Sequence, residues 1–160
     1  MITCILKHAT EPDLILPVSS VSTRWINTPD VSSINVTIPK GIYYSNDINN
    51  RINGWLEVYE DGVKFGYSDS ISNLVFHHGS SSSSIQLTGQ GTFTAGNYAD
   101  INLDGVSYIV SSNNGETRFR AKFNPNIKPT GTVIYNSTSY TVKSITTTLS
   151  QTRTMEVTCV

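Results

Sequence analysis

The feature that most constrains this chain is the recurrence of apolar residues at every second position, in short runs spread from one end to the other. Ile34, Val36 and Ile38 alternate with Asn35 and Thr37; Ile85 and Leu87 alternate with Gln86 and Thr88; Met155, Val157 and Cys159 alternate with Glu156 and Thr158. Successive side chains of an extended strand point to opposite faces, so each run is a ribbon with one apolar side and one wet side. The pattern predicts strands at 2–6, 14–16, 21–26, 33–38, 56–59, 63–67, 73–77, 84–88, 99–103, 106–110, 117–123, 132–135, 140–144 and 155–159.

Turn chemistry separates these runs. Asp61-Gly62 and Asp104-Gly105 predict two-residue hairpins, because a tight turn that matches strand twist needs positive φ at its centre. Asn113-Asn114-Gly115 is a looser turn and Asn136-Ser137 another. The stretch from Arg51 to Val58 couples a polar turn at Gly54 to a strand with Leu56 and Val58 on one face and Trp55, Glu57 and Tyr59 on the other. Gly79 and the serines at 80–84 are too polar to form core and read as a lead-in to Ile85 and Leu87. Only 45–52 suggests a helix, with Ser45 as cap and Ile48 and Ile52 sharing a face. The chain is therefore expected to be all-β with at most one short helix, as closed barrels or a sandwich.

A length of 160 residues permits one sizeable core or two small ones. Strand order hints at a duplication. Ile34-Val36-Ile38 ending at Pro39, then Leu56 and Val58, Asp61-Gly62, Phe65 and Tyr67, is echoed by Phe119-Ala121-Phe123 ending near Pro125, then Val133 and Tyr135, Asn136-Ser137, Tyr140 and Val142. On that reading the chain divides into two tandem antiparallel barrels, residues 1–92, including the short helix, and residues 93–160; a single β-sandwich is the alternative.

Composition narrows the function. Only 14% of residues are charged, with Ser, Thr and Asn filling the difference, as on the wet faces of antiparallel sheets or on surfaces covered by neighbouring subunits. Eleven basic and twelve acidic side chains, for a net charge of -1, provide no footprint for capturing a phosphate backbone, so specific nucleic acid binding is not expected. Lys7 and His8 interrupt the apolar start before a signal-peptide core can form, and no run is long enough to span a bilayer, so neither export nor membrane insertion is expected. Cys4 and Cys159 are expected to be buried, reduced thiols, although a bridge between neighbouring terminal strands would be possible in geometry.

Residues capable of chemistry do not group. Adjacent His77 and His78 point to opposite faces of a strand and cannot jointly grip one ion, so no metal and no cofactor is expected. Glu57, Glu60, Asp61, Asp69, Asp100 and Asp104 are the carboxylates a glycosidase would draw on, but Asp61 and Asp104 are explained by their glycine partners as turn formers. The serine run lacks a nucleophile elbow, and Gly89, Gly91 and Gly96 do not lead into a helix as a phosphate cradle would. No enzyme activity is expected. Arg118, Arg120 and Lys122 alternate with Phe119, Ala121 and Phe123, giving one strand a cationic face that is either solvated or a subunit contact.

Several segments together carry a resemblance: Leu14-Ile-Leu-Pro-Val-Ser-Ser20, Ser32 to Pro39, Arg51 to Leu56, Gly79 to Gly89, Gly105-Val-Ser-Tyr108, Arg118-Phe-Arg120 and Met155-Glu-Val157. In these the chain resembles small tail-tip or baseplate proteins of tailed bacteriophages, akin to the β-barrel domains of tail hubs. It departs from them at Pro129-Thr130-Gly131-Thr132, where a Pro-Gly-Asp turn is more typical. The resemblance implies a structural virion protein, made in the host bacterial cytoplasm, that joins other tail proteins as a hub-like homo-oligomeric ring, trimer or hexamer, at the distal end of the tail tube. The competing reading is a carbohydrate-binding sandwich that recognises host-surface glycan through Trp25, Trp55 and the tyrosines.

Overall fold

The computed structural model describes residues 1–26, 32–39, 44–78, 83–92, 96–149 and 152–160; of Tyr44 and Ser45, of the segment from Phe76 to His78 and of Ser83 only the backbone is described. Gly79 and Ser80 to Ser82, the first part of the polar lead-in, lie outside these residues. The fold is all-β, with strands β1 (Ile2–Lys7), β2 (Leu14–Leu16), β3 (Ser20–Ile26), β4 (Ser32–Pro39), β5 (Trp55–Glu60), β6 (Val63–Tyr67), β7 (Ser70–His78) and β8 (Ser83–Gly91) before residue 92. After it come β9 (Ile101–Asn102), β10 (Tyr108–Ser111), β11 (Thr117–Lys122), β12 (Thr132–Tyr135), β13 (Thr138–Leu149) and β14 (Arg153–Cys159). One helix, α1 (Tyr44–Asn49), lies between β4 and β5. It is shorter than 45–52, and only half of its expected apolar face exists: Ile48 is fully buried but Ile52, in the turn that follows, is 47% exposed. Arg51 ends the helix instead, its guanidinium donating to the Asp47 and Pro12 carbonyl oxygens at 2.7 and 3.0 Å.

The strands form two sheets, antiparallel throughout except where the short β9 runs parallel to β12. A small sheet has the order β2-β1-β5-β6, and a large one runs β10-β11-β14-β13-β3-β4-β8-β7, with β12 paired to β13 and β9 to β12. The chain passes from one sheet to the other at corners. Ser68, fully buried between β6 and β7, donates its N–H to Leu56 of β5, while the next residue, Asp69, donates to Gln90 of β8. Between β2 and β3, Ser19 already donates to Thr37 of β4. These two corners carry the chain between the small sheet and the large one.

A further corner lies in the second half. Leu103 donates to Ile134, beside β12, whereas Lys122 of β11 donates to Asp104 and Ser107 donates to Arg120. Asp104-Gly105 is thus a crossing between strands and not the hairpin its composition suggests. Gly105 does take positive φ, 57°, but β9 and β10 have different partners, so the glycine turns the chain across the unit. Asp61-Gly62 and Asn136-Ser137 are true two-residue hairpin turns, with φ of 48° and 83° and of 48° and 63°.

Inward faces supply one continuous apolar layer. Across the large sheet, Val21 pairs with Val36 and Leu149, Val36 with Leu87, Ile145 with Trp25 and Val157, and Phe119 with Val157; each of these side chains is buried. At about 1.5–3 kcal/mol for each large apolar side chain removed from water, this layer dominates the stability of the fold. The ladder of β3 with β13 carries it across residue 92. Lys128 crosses the same junction: its ammonium donates to the Lys64 carbonyl oxygen and lies 4.8 Å from the centre of the Trp25 ring. Cys4 and Cys159 are buried and free.

Candidate subunit interface

The cationic strand takes the position its alternation requires. On β11, Phe119 and Ala121 are fully buried while Arg118, Arg120 and Lys122 stand exposed on the outer face of the large sheet. Strand register sets Arg120 between Tyr108 of β10 and Glu156 of β14, and Arg118 between Val110 and Thr158. Tyr108, Val110, Ser112, Glu116, Arg118, Arg120 and Glu156 line a shallow groove of roughly 640 Å³.

Within the groove the charges are partly spoken for. Glu116 accepts from the Lys143 ammonium, and this hydrogen bond, with the charges of Lys143 and Arg118, holds its carboxyl below the usual range despite some desolvation. Lys122 lies 3.8 Å from Asp104, with both groups largely exposed, so the pair contributes little. The two arginines remain solvent-facing donors on a sheet face that also carries Glu156 and Arg24 and is otherwise mostly Ser, Thr and Asn, among them Ser22, Asn35, Thr37, Thr88, Thr146, Thr148 and Thr154.

Beside them β10 is unusual. It is an edge of the large sheet, and all four of its residues are exposed: Tyr108 at 55%, Ile109 at 43% and Val110 at 38%, with Ser111. Three consecutive apolar residues in place of an alternating pattern were the available sign in the sequence that both faces of this strand are apolar.

A second surface covers the outer face of the small sheet. Glu57 is nearly buried there, accepting from Trp55 Nε1 at 3.3 Å, Tyr59 Oη at 2.5 Å and Lys64 Nζ at 3.2 Å, with Lys7 Nζ at 3.5 Å. Burial alone would raise its pKa, but the hydrogen bonds from Tyr59 and Lys64 and the two cations bring it below the usual value. The Lys64 ammonium also sits over the Tyr59 and Tyr67 rings, at 5.8 and 5.4 Å. The glycan reading calls on these aromatics, yet Trp25 is buried in the core and the polar groups of Trp55 and Tyr59 are engaged by Glu57.

The other candidate residues remain scattered. Glu60 and Asp61 hold the amino group of Met1, and Glu60 also pairs with Arg153 at 2.5 Å. Asp69 accepts from the Thr92 N–H. Among the described residues no three His, Cys, Asp or Glu side chains converge as metal ligands would. His77 and His78 lie on β7, with side chains outside the description.

The chain matches no family model and no curated protein by sequence. Its fold, however, is that of solved tail proteins. The tail protein from Neisseria meningitidis MC58 superposes with a TM-score of 0.66 at 7% identity, over 99% of this chain and 95% of that one. The 43 kDa tail protein of prophage MuSo2 from Shewanella oneidensis gives 0.68 at 7% identity, over 100% and 98%. The E. coli c3393 protein, a type VI secretion component described as similar to the T4 bacteriophage tail proteins gp27 and gp5, gives 0.67 at 7% identity, over 98% and 76%.

Proposed function

We propose that this chain is a structural component of a bacteriophage tail tip or baseplate, one of several copies that form a hub-like ring, trimer or hexamer, at the distal end of the tail tube. The observation that carries the reading is fold likeness over essentially the whole chain to tail proteins from separate sources, at an identity where only architecture is shared. Residues 1–92 and 93–160 act as two barrel-like units fused through the β3–β13 ladder, presenting two related walls per copy. Arg118, Arg120 and Lys122 form part of the contact with neighbouring tail subunits, where they would meet carboxylates. The protein acts by shape, and its near-neutral net charge of -1 suits a wall along the genome's path that has little hold on phosphate.

Antibody labelling of phage particles from the source culture, viewed by electron microscopy, tests this. Label at the distal tail is expected. Intact particles without label, whether native or partly denatured, and with the protein free in the lysate, would overturn the assignment.

A further inference from the structure

Asparagine followed by glycine occurs twice in the chain, at Asn53-Gly54 and at Asn114-Gly115. We propose that the second is a site of covalent self-modification, where the turn between β10 and β11 converts its own asparagine to aspartate and isoaspartate, while the fold shields the first.

The chemistry needs only the chain and water. The Gly115 backbone nitrogen gives its proton to hydroxide and attacks Cγ of Asn114, and the electron pair of the carboxamide C=O bond moves onto Oδ1. When that pair returns, the bond from Cγ to Nδ2 breaks. The nitrogen takes a proton from water, leaves as ammonia and restores the hydroxide. Water then adds to one of the two carbonyl carbons of the five-membered succinimide, and the ring C–N bond at that carbon breaks. Cleavage at Cγ restores the ordinary chain as aspartate; cleavage at the main-chain carbonyl leaves the chain running through the side chain, as isoaspartate. Nothing is oxidised or reduced.

Three observations single out the Asn114 turn. The first is how its carboxamide is held. Asn114 Oδ1 accepts from Ser112 Oγ and from the Glu116 N–H, the latter at 3.4 Å. A backbone N–H can only donate, so the oxygen faces these groups, and two donors already point at the atom where negative charge develops. One of those donors lies beyond Gly115 in the chain, so the side chain is folded back over the peptide that attacks it.

The second is freedom at the glycine. Gly115 is exposed with φ of 82°, and a Cβ placed on it would meet nothing within 4 Å. A succinimide, or the methylene that isoaspartate adds to the main chain, fits there without displacing a neighbour. The Gly115 N–H is held by a bond of 3.2 Å to the Ser112 carbonyl oxygen, in a turn whose residues 112–115 are all exposed.

The third is the opposite state of the other glycine. Gly54 is buried, its N–H donates to the Arg51 carbonyl oxygen at 2.9 Å, and a Cβ on it would come within 1.9 Å of the Lys7 carbonyl oxygen. The backbone there is pressed against β1, which leaves no room for a lengthened main chain. Asn53 itself is exposed, so burial of the asparagine is not what separates the two sites.

The product changes the sheet face nearby. A carboxylate at position 114 stands beside Glu116, which already holds Lys143, at one end of the groove that contains Arg118 and Arg120. Newly made and aged chains then differ by one negative charge on the face proposed above for subunit contacts, although the chemistry itself does not depend on that role.

The test incubates the full folded chain at mildly alkaline pH in oxygen-18 water and follows both dipeptides by peptide mass spectrometry, with the guanidinium-unfolded chain as reference. Unfolded, Asn53 and Asn114 are expected to convert at similar rates, since the dipeptide is the same. Folded, Asn114 is expected to convert with uptake of labelled oxygen and with isoaspartate among the products, while Asn53 stays an amide. Ser112→Ala should slow Asn114 several-fold in the folded chain and leave its unfolded rate unchanged. A folded chain in which Asn114 stays an amide, or in which Asn53 converts as fast, overturns the proposal. Conversion in Ser112→Ala as fast as in the wild type or faster, with an unaltered circular dichroism spectrum, overturns the part given to the Ser112 hydroxyl.

Discussion

Ser68 grips Leu56 by both of that residue's backbone groups: the Ser68 N–H donates to the Leu56 carbonyl oxygen at 2.9 Å, and the Leu56 N–H donates to Ser68 Oγ at 3.0 Å. A side-chain oxygen thus stands in for the ladder acceptor that is lost where the chain leaves the small sheet for the large one. The residue is fully buried, so nothing else can satisfy that N–H.

Ser68→Ala should therefore destabilise the protein by about 1–3 kcal/mol, the cost of a buried donor left without an acceptor. Gly89→Ala should be at least as damaging, because a Cβ there would come within 2.4 Å of both Ser68 Cβ and Ser68 Oγ. Urea denaturation reads both. Wild-type stability in Ser68→Ala would mean that the corner is held by packing alone.

Thr130 adopts φ of 68°, a left-handed conformation that a β-branched residue resists, and its buried hydroxyl has no hydrogen-bond partner. Its N–H, in contrast, is used, donating to Val142 at 2.8 Å. Thr130→Gly keeps that bond and removes both penalties. A gain of about 1 kcal/mol is expected in the same urea experiment. A loss would show that the threonine methyl packs well enough to outweigh the strain.

The carboxylate of Glu57, held below its ordinary pKa by Tyr59, Lys64 and Lys7, couples folding to acid. A depressed folded pKa means that the unfolded chain takes up the proton first. The stabilisation is complete above the ordinary value of 4.5 and fades as pH falls through the folded one. Melting temperature followed from pH 6 downward should drop less steeply in Glu57→Gln than in the wild type. Parallel curves would remove Glu57 from the account.

Alkaline pH acts in the opposite sense. Burial pushes the Cys4 and Cys159 thiols up to about 12 from an ordinary 9, so they stay protonated in the fold while the unfolded chain ionises. Their contribution is intact below pH 9 and is lost as pH rises toward 12, by about 1.4 kcal/mol per pH unit for each thiol. Lys128 opposes this: desolvation, aided by the Lys64 charge, lowers it from 10.5 to about 8, so that stability gains between those values. Cys4→Ala/Cys159→Ala should flatten the alkaline decline, and Lys128→Met should steepen it between pH 9 and 10.5. Chemical denaturation at fixed pH steps under reducing conditions distinguishes them, and identical slopes in all three proteins would refute the assignment.

Nearly every strand was legible in the sequence because alternation is a local property: a run such as Ile34, Val36 and Ile38 states which face is inward without reference to any partner. The hairpin turns at Asp61-Gly62 and Asn136-Ser137 are local too, since positive φ is demanded by the turn itself. The cationic face of Arg118, Arg120 and Lys122 followed from the same period. Ile52 failed because one further helical turn was not formed, Arg51 having tied the helix end to the Pro12 and Asp47 carbonyls.

Partner choice was decided only in three dimensions. Asp104-Gly105 looks like Asp61-Gly62 in sequence, but one carries the chain between strands and the other folds it back, because β9 finds β12 and β10 finds β11. Glu57 reads as a surface residue of an alternating strand, and becomes a nearly buried carboxylate once Lys7 and Lys64 arrive from the strands on either side of β5. The sequence by itself determined which residues face inward and where the chain turns, since both are set by neighbours a few residues away. Which strands pair, which edges stay open and how residues on either side of position 92 are joined depended on contacts distant in sequence, with energies that exist only once the sheet has formed.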